Sequence, residues 1–140
     1  MRFPWISRPA AANGGDAVVL VTWFRLKDSW RSPGFMLHSL LLWWQALRSP
    51  GLLGIAIEAH PFRGTFWTLS AWTDRRSLSA YTRTDPHGAA MDRIRPWMDE
   101  FERVSWTLPT ADLPHTPTAR PLWTDAAERV TQERRSRTSL

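Results

Sequence analysis

The sequence predicts an α+β domain with the order strand, helix, strand, strand, helix, strand (βαββαβ), and two observations carry that prediction. Stretches rich in β-branched and aromatic residues recur with a period of two. Between them lie segments of helical length with helical start and stop signals. In this order the strands form one antiparallel four-stranded sheet with both helices on one face.

The elements follow in turn. Residues 1–16, MRFPWISRPAAANGGD, are rich in Pro, Ala, Asn and Gly and read as a flexible lead. AVVLVTWFRL, 17–26, is the first strand. Ser32-Pro33 opens and Ser49-Pro50-Gly51 closes a helix over about 33–48. In GLLGIAIEAH, 51–60, Leu53, Ile55, Ile57 and Ala59 alternate against Leu52, Gly54, Ala56 and Glu58. The turn PFRG joins this strand to GTFWTLSAWTD, where Phe66, Thr68, Ser70 and Trp72 share one face and Trp67, Leu69 and Ala71 the other, so the pair makes a hairpin. RRSLSAYTR is a short helix. Asp85 can cap the next helical piece and Pro86 fits its first turn, which sets His87 at the helix entrance; the piece runs to about Met98. FERVSWTL, 101–108, is the fourth strand. The whole is a ferredoxin-like arrangement over 17–108. Residues 109–140 form a Pro-rich tail with a short helix, WTDAAERVTQERR, whose Trp123, Ala127 and Val130 lie along one stripe able to dock on the body.

A sheet with helices on one face has a second face to cover. The strands are apolar on both sides and no further helices stand between them, so a partner subunit packing sheet to sheet is expected, and with it a homodimer.

At 140 residues the chain makes one domain. The formal net charge is +5, and every basic residue but Lys27 is arginine. A nucleic-acid surface would interleave aromatics with those arginines, whereas here the Trp residues lie in apolar runs and much of the positive excess falls in ERVTQERRSRTSL, so no nucleic-acid partner is expected. There are no cysteines, which removes disulfides, thiolate metal sites and cysteine nucleophiles. The N-terminus lacks the apolar core of a secretory signal, and the longest apolar run, FMLHSLLLWWQAL at 35–47, is well short of a span. A cytoplasmic protein with no membrane partner is expected.

His87 is the first candidate for chemistry. A helix N-terminus disfavours the imidazolium, and neutral imidazole is the form that acts as general base or axial ligand. Its bland alternative is a ring that packs or caps at the helix start. His38, on the first helix among Leu and Met, is a weaker candidate, and His60 and His115 read as surface residues. No HxxxH, HExxH, GxSxG, P-loop or GxGxxG occurs, so non-haem metal, hydrolase, nucleotide and dinucleotide chemistries lack their signals. The ten tryptophans form the other constellation. Trp43 and Trp44 point about 100° apart on the first helix, and Trp67 and Trp72 face opposite sides of their strand. Each ring alone is best read as core. Together with the small residues Gly54, Ala56, Ser70 and Ala71, and with His87 at the edge, they outline a flat apolar cavity.

TFWTLSAWTDRRSLSAYTRTDPHGAAM, 65–91, resembles the third strand and second helix of the dimeric α/β-barrel superfamily, especially its antibiotic-biosynthesis-monooxygenase-like members. The resemblance rests on Trp72 and Asp74 at the strand end, Tyr81 on the short helix and Pro86-His87 at the next helical start. The same stretch, continued as HGAAMDRIRPWMDEFERV, is also similar to spheroidene-monooxygenase-like proteins. The match covers about 17–108. It implies a ferredoxin-like protomer, a dimer formed by sheet packing and a ligand cavity between sheet and helices. Some relatives oxygenate phenolic polyketides without metal or flavin, some bind haem through a histidine, and others isomerise or degrade small molecules.

The resulting expectation is a small-molecule oxygenase of secondary metabolism acting on a flat apolar or phenolic substrate. Trp44, Trp67, Trp72 and His38 would hold the substrate, and His87, Tyr81 and Arg25 would take or relay the proton. No cofactor is needed in this version. The alternatives are a haem-dependent oxygenase or dehydratase with His87 as axial ligand, and a non-catalytic small-ligand binding or accessory protein.

Overall fold

The computed structural model describes residues 2–7, 15–84 and 87–138. Asp85 and Pro86, expected to open the helix before His87, lie outside the described residues. The elements are β1 (Ile6–Ser7), β2 (Asp16–Leu26), α1 (Ser32–Leu47), β3 (Leu52–His60), β4 (Thr65–Trp72), α2 (Arg75–Arg83), α3 (His87–Ile94), β5 (Met98–Pro109) and α4 (Arg120–Thr138). All strand pairings are antiparallel, in the order β1-β3-β4-β2-β5. Removing β1 leaves the expected ferredoxin-like sheet. The fifth strand comes from the lead, where Ile6 and Ser7 pair with Ile55 and Gly54.

Period-two alternation makes both faces of this sheet apolar. On the inner face, Val18 and Leu20 pack with Trp72 and Ile55 under Ala46 of α1 and Leu78 of α2. Further along the same face, Phe24 and Phe66 pack with Phe35 of α1 and Ile94 of α3. A register shift between Leu52 and Gly54 sends Leu52 to the inner core and Leu53 to the outer one, breaking the simple alternation expected for β3. Gly54 is required by its neighbour, because a Cβ there would stand 2.1 Å from the Trp5 ring. The lead thereby seats a tryptophan on the outer face.

The outer face corrects one step of the sequence argument, which found no helix to cover it. The tail helix is longer than expected, with 19 residues, and it lies on this face. Leu122, Trp123, Ala126 and Val130, at helical spacing, pack on Val19, Val21, Trp23, Leu69, Ala71 and Trp106. Val19, Val21, Leu69 and Ala71 are completely buried within the single chain. The basic tail also finds its role here. The Arg129 guanidinium lies 4.5 Å from the Trp106 ring centre and that of Arg134 4.3 Å from Trp23. Arg134 also pairs with Glu100 at 2.8 Å, and Arg137 with Glu102 at 3.5 Å.

Burial and charge make separable contributions to this docking. Leu122→Ala should lower stability by about 3 kcal/mol, since it removes a buried side chain and leaves a void. Arg134→Gln, which removes a half-exposed ion pair and the stacking contact on Trp23, should cost about 1–2 kcal/mol. Urea unfolding of the two variants checks the ordering, and an equal loss would mean that the arginine contacts seat α4 as strongly as burial does.

Candidate functional site

Between the two apolar clusters of the inner face, the sheet carries hydroxyls. Thr22 of β2 stands opposite Thr68 of β4, their hydroxyls hydrogen-bonded, and Leu20 stands opposite Ser70. With Ile55 and Ile57 of β3 these residues floor a cavity of about 100 Å³. Its roof comes from Phe35, Ser39, Leu42 and Trp43 of α1, Tyr81 and Thr82 of α2, and His87 and Met91 of α3. Thr82, His87, Met91, Phe101 and Arg103 also line an open groove between α3 and β5, so they form the mouth. The cavity is mainly apolar, with a few convergent polar groups.

His87 is placed by a chain of hydrogen bonds. Asp74 caps α2, accepting from the Ser77 amide at 2.7 Å, and that bond holds its carboxyl below the usual carboxylate range. At the other end of α2, the buried Gln45 side chain donates to the carbonyls of Tyr81 at 3.2 Å and Thr84 at 3.0 Å. The Thr84 carbonyl also accepts from the His87 amide at 3.0 Å. The imidazole Nδ1 lies 3.1 Å from the Thr82 carbonyl oxygen. A carbonyl only accepts, so Nδ1 carries the hydrogen and the neutral ring keeps its basic lone pair on Nε2. Burial pushes the His87 pKa below its ordinary 6.5, against the Thr82 bond that raises it, and the Arg103 charge lowers it further. The ring is therefore held in the form of a base.

Tyr81 supports that ring. Its ring centre lies 4.9 Å from His87 on one side and 5.0 Å from Trp72 on the other, and its hydroxyl donates to the Leu42 carbonyl at 2.9 Å. Burial drives its pKa far upward, so it stays protonated and serves as a donor and a shelf rather than a base. Trp43 also lines the cavity, and its indole N–H is buried with no hydrogen-bond partner among the described residues.

No protein-family model and no curated protein sequence matches the chain. Solved structures do share its architecture. A Nitrosomonas europaea protein provisionally described as an antibiotic biosynthesis monooxygenase superposes with a TM-score of 0.56 at 19% identity, over 66% of this chain and 88% of that one. The chain has the antibiotic-biosynthesis-monooxygenase-like fold. A conserved protein from Methanosarcina mazei Go1 gives 0.58 at 18% identity, over 64% and 90% of the two chains. SnoaB, a cofactor-independent oxygenase from Streptomyces nogalater, gives 0.57 at 15% identity, over 67% and 94%.

Of the seven residues singled out from the sequence, the fold brings His87 and Tyr81 into the cavity wall. Trp72 lies just behind it, fully buried, its indole N–H bonded to Ser70 Oγ at 3.0 Å. The other four lie elsewhere. Trp67 is on the opposite face, 6.3 Å from Trp23. Trp44 projects outward beneath the Arg48 guanidinium. His38 packs on Trp97 at 5.8 Å, and Arg25 pairs with Asp99 at 3.0 Å and with Glu100. Trp43, Arg103 and the hydroxyl row were missed. Their signal was present for Arg103, which shares strand parity with Phe101 in FERVSWTL, and for the row Thr68, Ser70.

The closed part of the cavity, about 100 Å³, is smaller than the ~150 Å³ engineered cavity that holds a single benzene ring, so a larger group, haem included, would have to extend into the groove. Among the described residues, no three His, Asp or Glu side chains converge as metal ligands.

The shelf role of Tyr81 is open to direct measurement. Tyr81→Phe keeps the ring between Trp72 and His87 but deprives the Leu42 carbonyl of its donor, and should cost about 1 kcal/mol in urea unfolding. An NMR titration should leave the His87 midpoint nearly where it was. A large move of that midpoint would mean that the hydroxyl acts on the imidazole.

Proposed function

We propose that the chain is a cofactor-independent oxygenase for a flat, largely apolar small molecule carrying an ionisable hydroxyl, as in phenolic secondary metabolites. The observation that carries this reading is the tautomer of His87: a base with Nδ1 tied to a carbonyl and Nε2 left basic, in the wall of an apolar cavity. The shared fold with SnoaB supports it. The ring system would extend from the closed cavity into the groove, because the closed part alone is smaller than a cavity that holds a single ring.

His87 Nε2 would take a proton from an activated CH₂ of the substrate, and Arg103 at the mouth would balance the phenolate that spreads the resulting charge. The carbanion then reduces O₂. One oxygen atom ends in a new C=O and the other leaves as water, so CH₂ and O₂ become C=O and H₂O with no added reductant. A homodimer, expected from the sequence, would have to use a surface other than the outer sheet face, which α4 fills. A non-catalytic carrier of the same fold would use the cavity without needing the Nε2 base.

Oxygen uptake with phenolic compounds bearing an acidic CH₂ tests the reading. His87→Ala should lower kcat/KM by about 10²–10⁴-fold, with ¹⁸O₂ placing one labelled atom in the product. A base must be neutral, and this pKa lies below 6.5, so activity should rise with pH to a plateau whose inflection falls below 6.5. Arg103→Gln removes a repelling charge and should move that inflection upward. Full turnover in His87→Ala would exclude this base, and ligand binding with no oxygen consumed would leave the carrier.

A further inference from the structure

α1 is apolar on the side that faces no neighbour. Leu37, 61% exposed, Leu41 and Trp44, 52% exposed, lie at i, i+4 and i+7, with Leu40 beside them. Trp30, 68% exposed, precedes the helix. The β3–β4 turn is held against the helix start by a Ser32 Oγ to Pro61 carbonyl bond of 2.7 Å, and its tip, Phe62, is 99% exposed. Single exposed apolar side chains are ordinary, but a stripe of them along one helix marks an interaction surface.

The charges around the stripe identify the partner. Arg31 lies 4.2 Å from the Trp30 ring centre and Arg48 3.9 Å from that of Trp44, so each end of the stripe carries an indole covered by a guanidinium. Lys27 and Arg63 flank the same region, and between Asp28 and Glu58 the sequence holds no acidic residue. We propose that this face of α1 docks on an anionic lipid surface. Leu37 and Leu41 enter the acyl boundary, and the Trp-Arg pairs sit at the level of the headgroups. The helix, about 24 Å long, then lies in the plane of the interface.

The expectation of no membrane partner rested on span length, and among the described residues no helix is long and apolar enough to cross a membrane. Lying on one leaflet makes no such demand. A second copy of the chain fits worse. An isologous contact must complement itself, and pairing two stripes would bring Arg31 and Arg48 against cations of the other copy, while the stripe's own segment, 29–57, offers no acidic residue to answer them.

Sedimentation of the full chain with phosphatidylcholine vesicles, with and without phosphatidylglycerol, tests the proposal. Binding should require phosphatidylglycerol. Leu37→Gln/Leu41→Gln should weaken it at least tenfold, and Lys27→Gln/Arg48→Gln about fivefold per charge. These side chains are exposed apolar or cationic groups, and an unchanged far-UV spectrum confirms that the variants fold. Failure to bind the mixed vesicles, or binding unaffected by the leucine pair, overturns the proposal. So does a concentration-dependent dimer in ultracentrifugation that the leucine pair abolishes, since that gives the stripe to a second copy.

Discussion

Everything in this chain depends on how a sheet with two apolar faces is shielded from water. Helices α1 to α3 shield the inner face, and α4 returns across the outer one. Burial of side chains such as Trp23, Trp106, Leu122 and Val130 drives that return, and the arginines of α4 align it by stacking on Trp106 and Trp23. One consequence is that a single chain completes the fold. Another is that a positive tail, suggestive of a polyanion partner on charge alone, is spent largely on contacts within the molecule.

The cavity is a consequence of the inner face. Large side chains fill both of its ends, Trp72 and Val18 at one and Phe24 and Phe66 at the other. Between them the row of Thr22, Thr68 and Ser70 is too short to reach the helices, and its hydroxyls partly satisfy one another. A hydroxyl row in place of a third apolar layer sacrifices packing. It leaves polar atoms where a bound molecule would meet them, opposite His87 and Trp43.

The strands and the βαββαβ order were legible because alternation over five or more residues is a strong signal, and the face assignments of β4 followed from the same parity. β1 was not legible, because two residues carry no period and its anchoring depends on Trp5 meeting Gly54 far along the chain. In the site, His87 and Tyr81 were legible through the DPH turn and the aromatic spacing before it. That Trp43 rather than Trp44 lines the cavity was not legible, for a definite reason. α1 is apolar all round, so its sequence does not reveal which side faces the sheet.

That ambiguity is itself informative. A helix that needed only to cover a sheet would put polar residues on its other side, as α2 does with Arg75, Arg76 and Arg83. α1 instead has an inner side that walls the cavity and an outer side of Leu37, Leu41 and Trp44. Its inner side also holds both polar contacts that fix the segment before His87: the Leu42 carbonyl that receives the Tyr81 hydroxyl, and the Gln45 amide that binds the end of α2. The exposed stripe and the contacts that seat the segment before His87 thus lie on the outer and inner sides of one helix, which is why neither side of α1 is given over to ordinary polar residues.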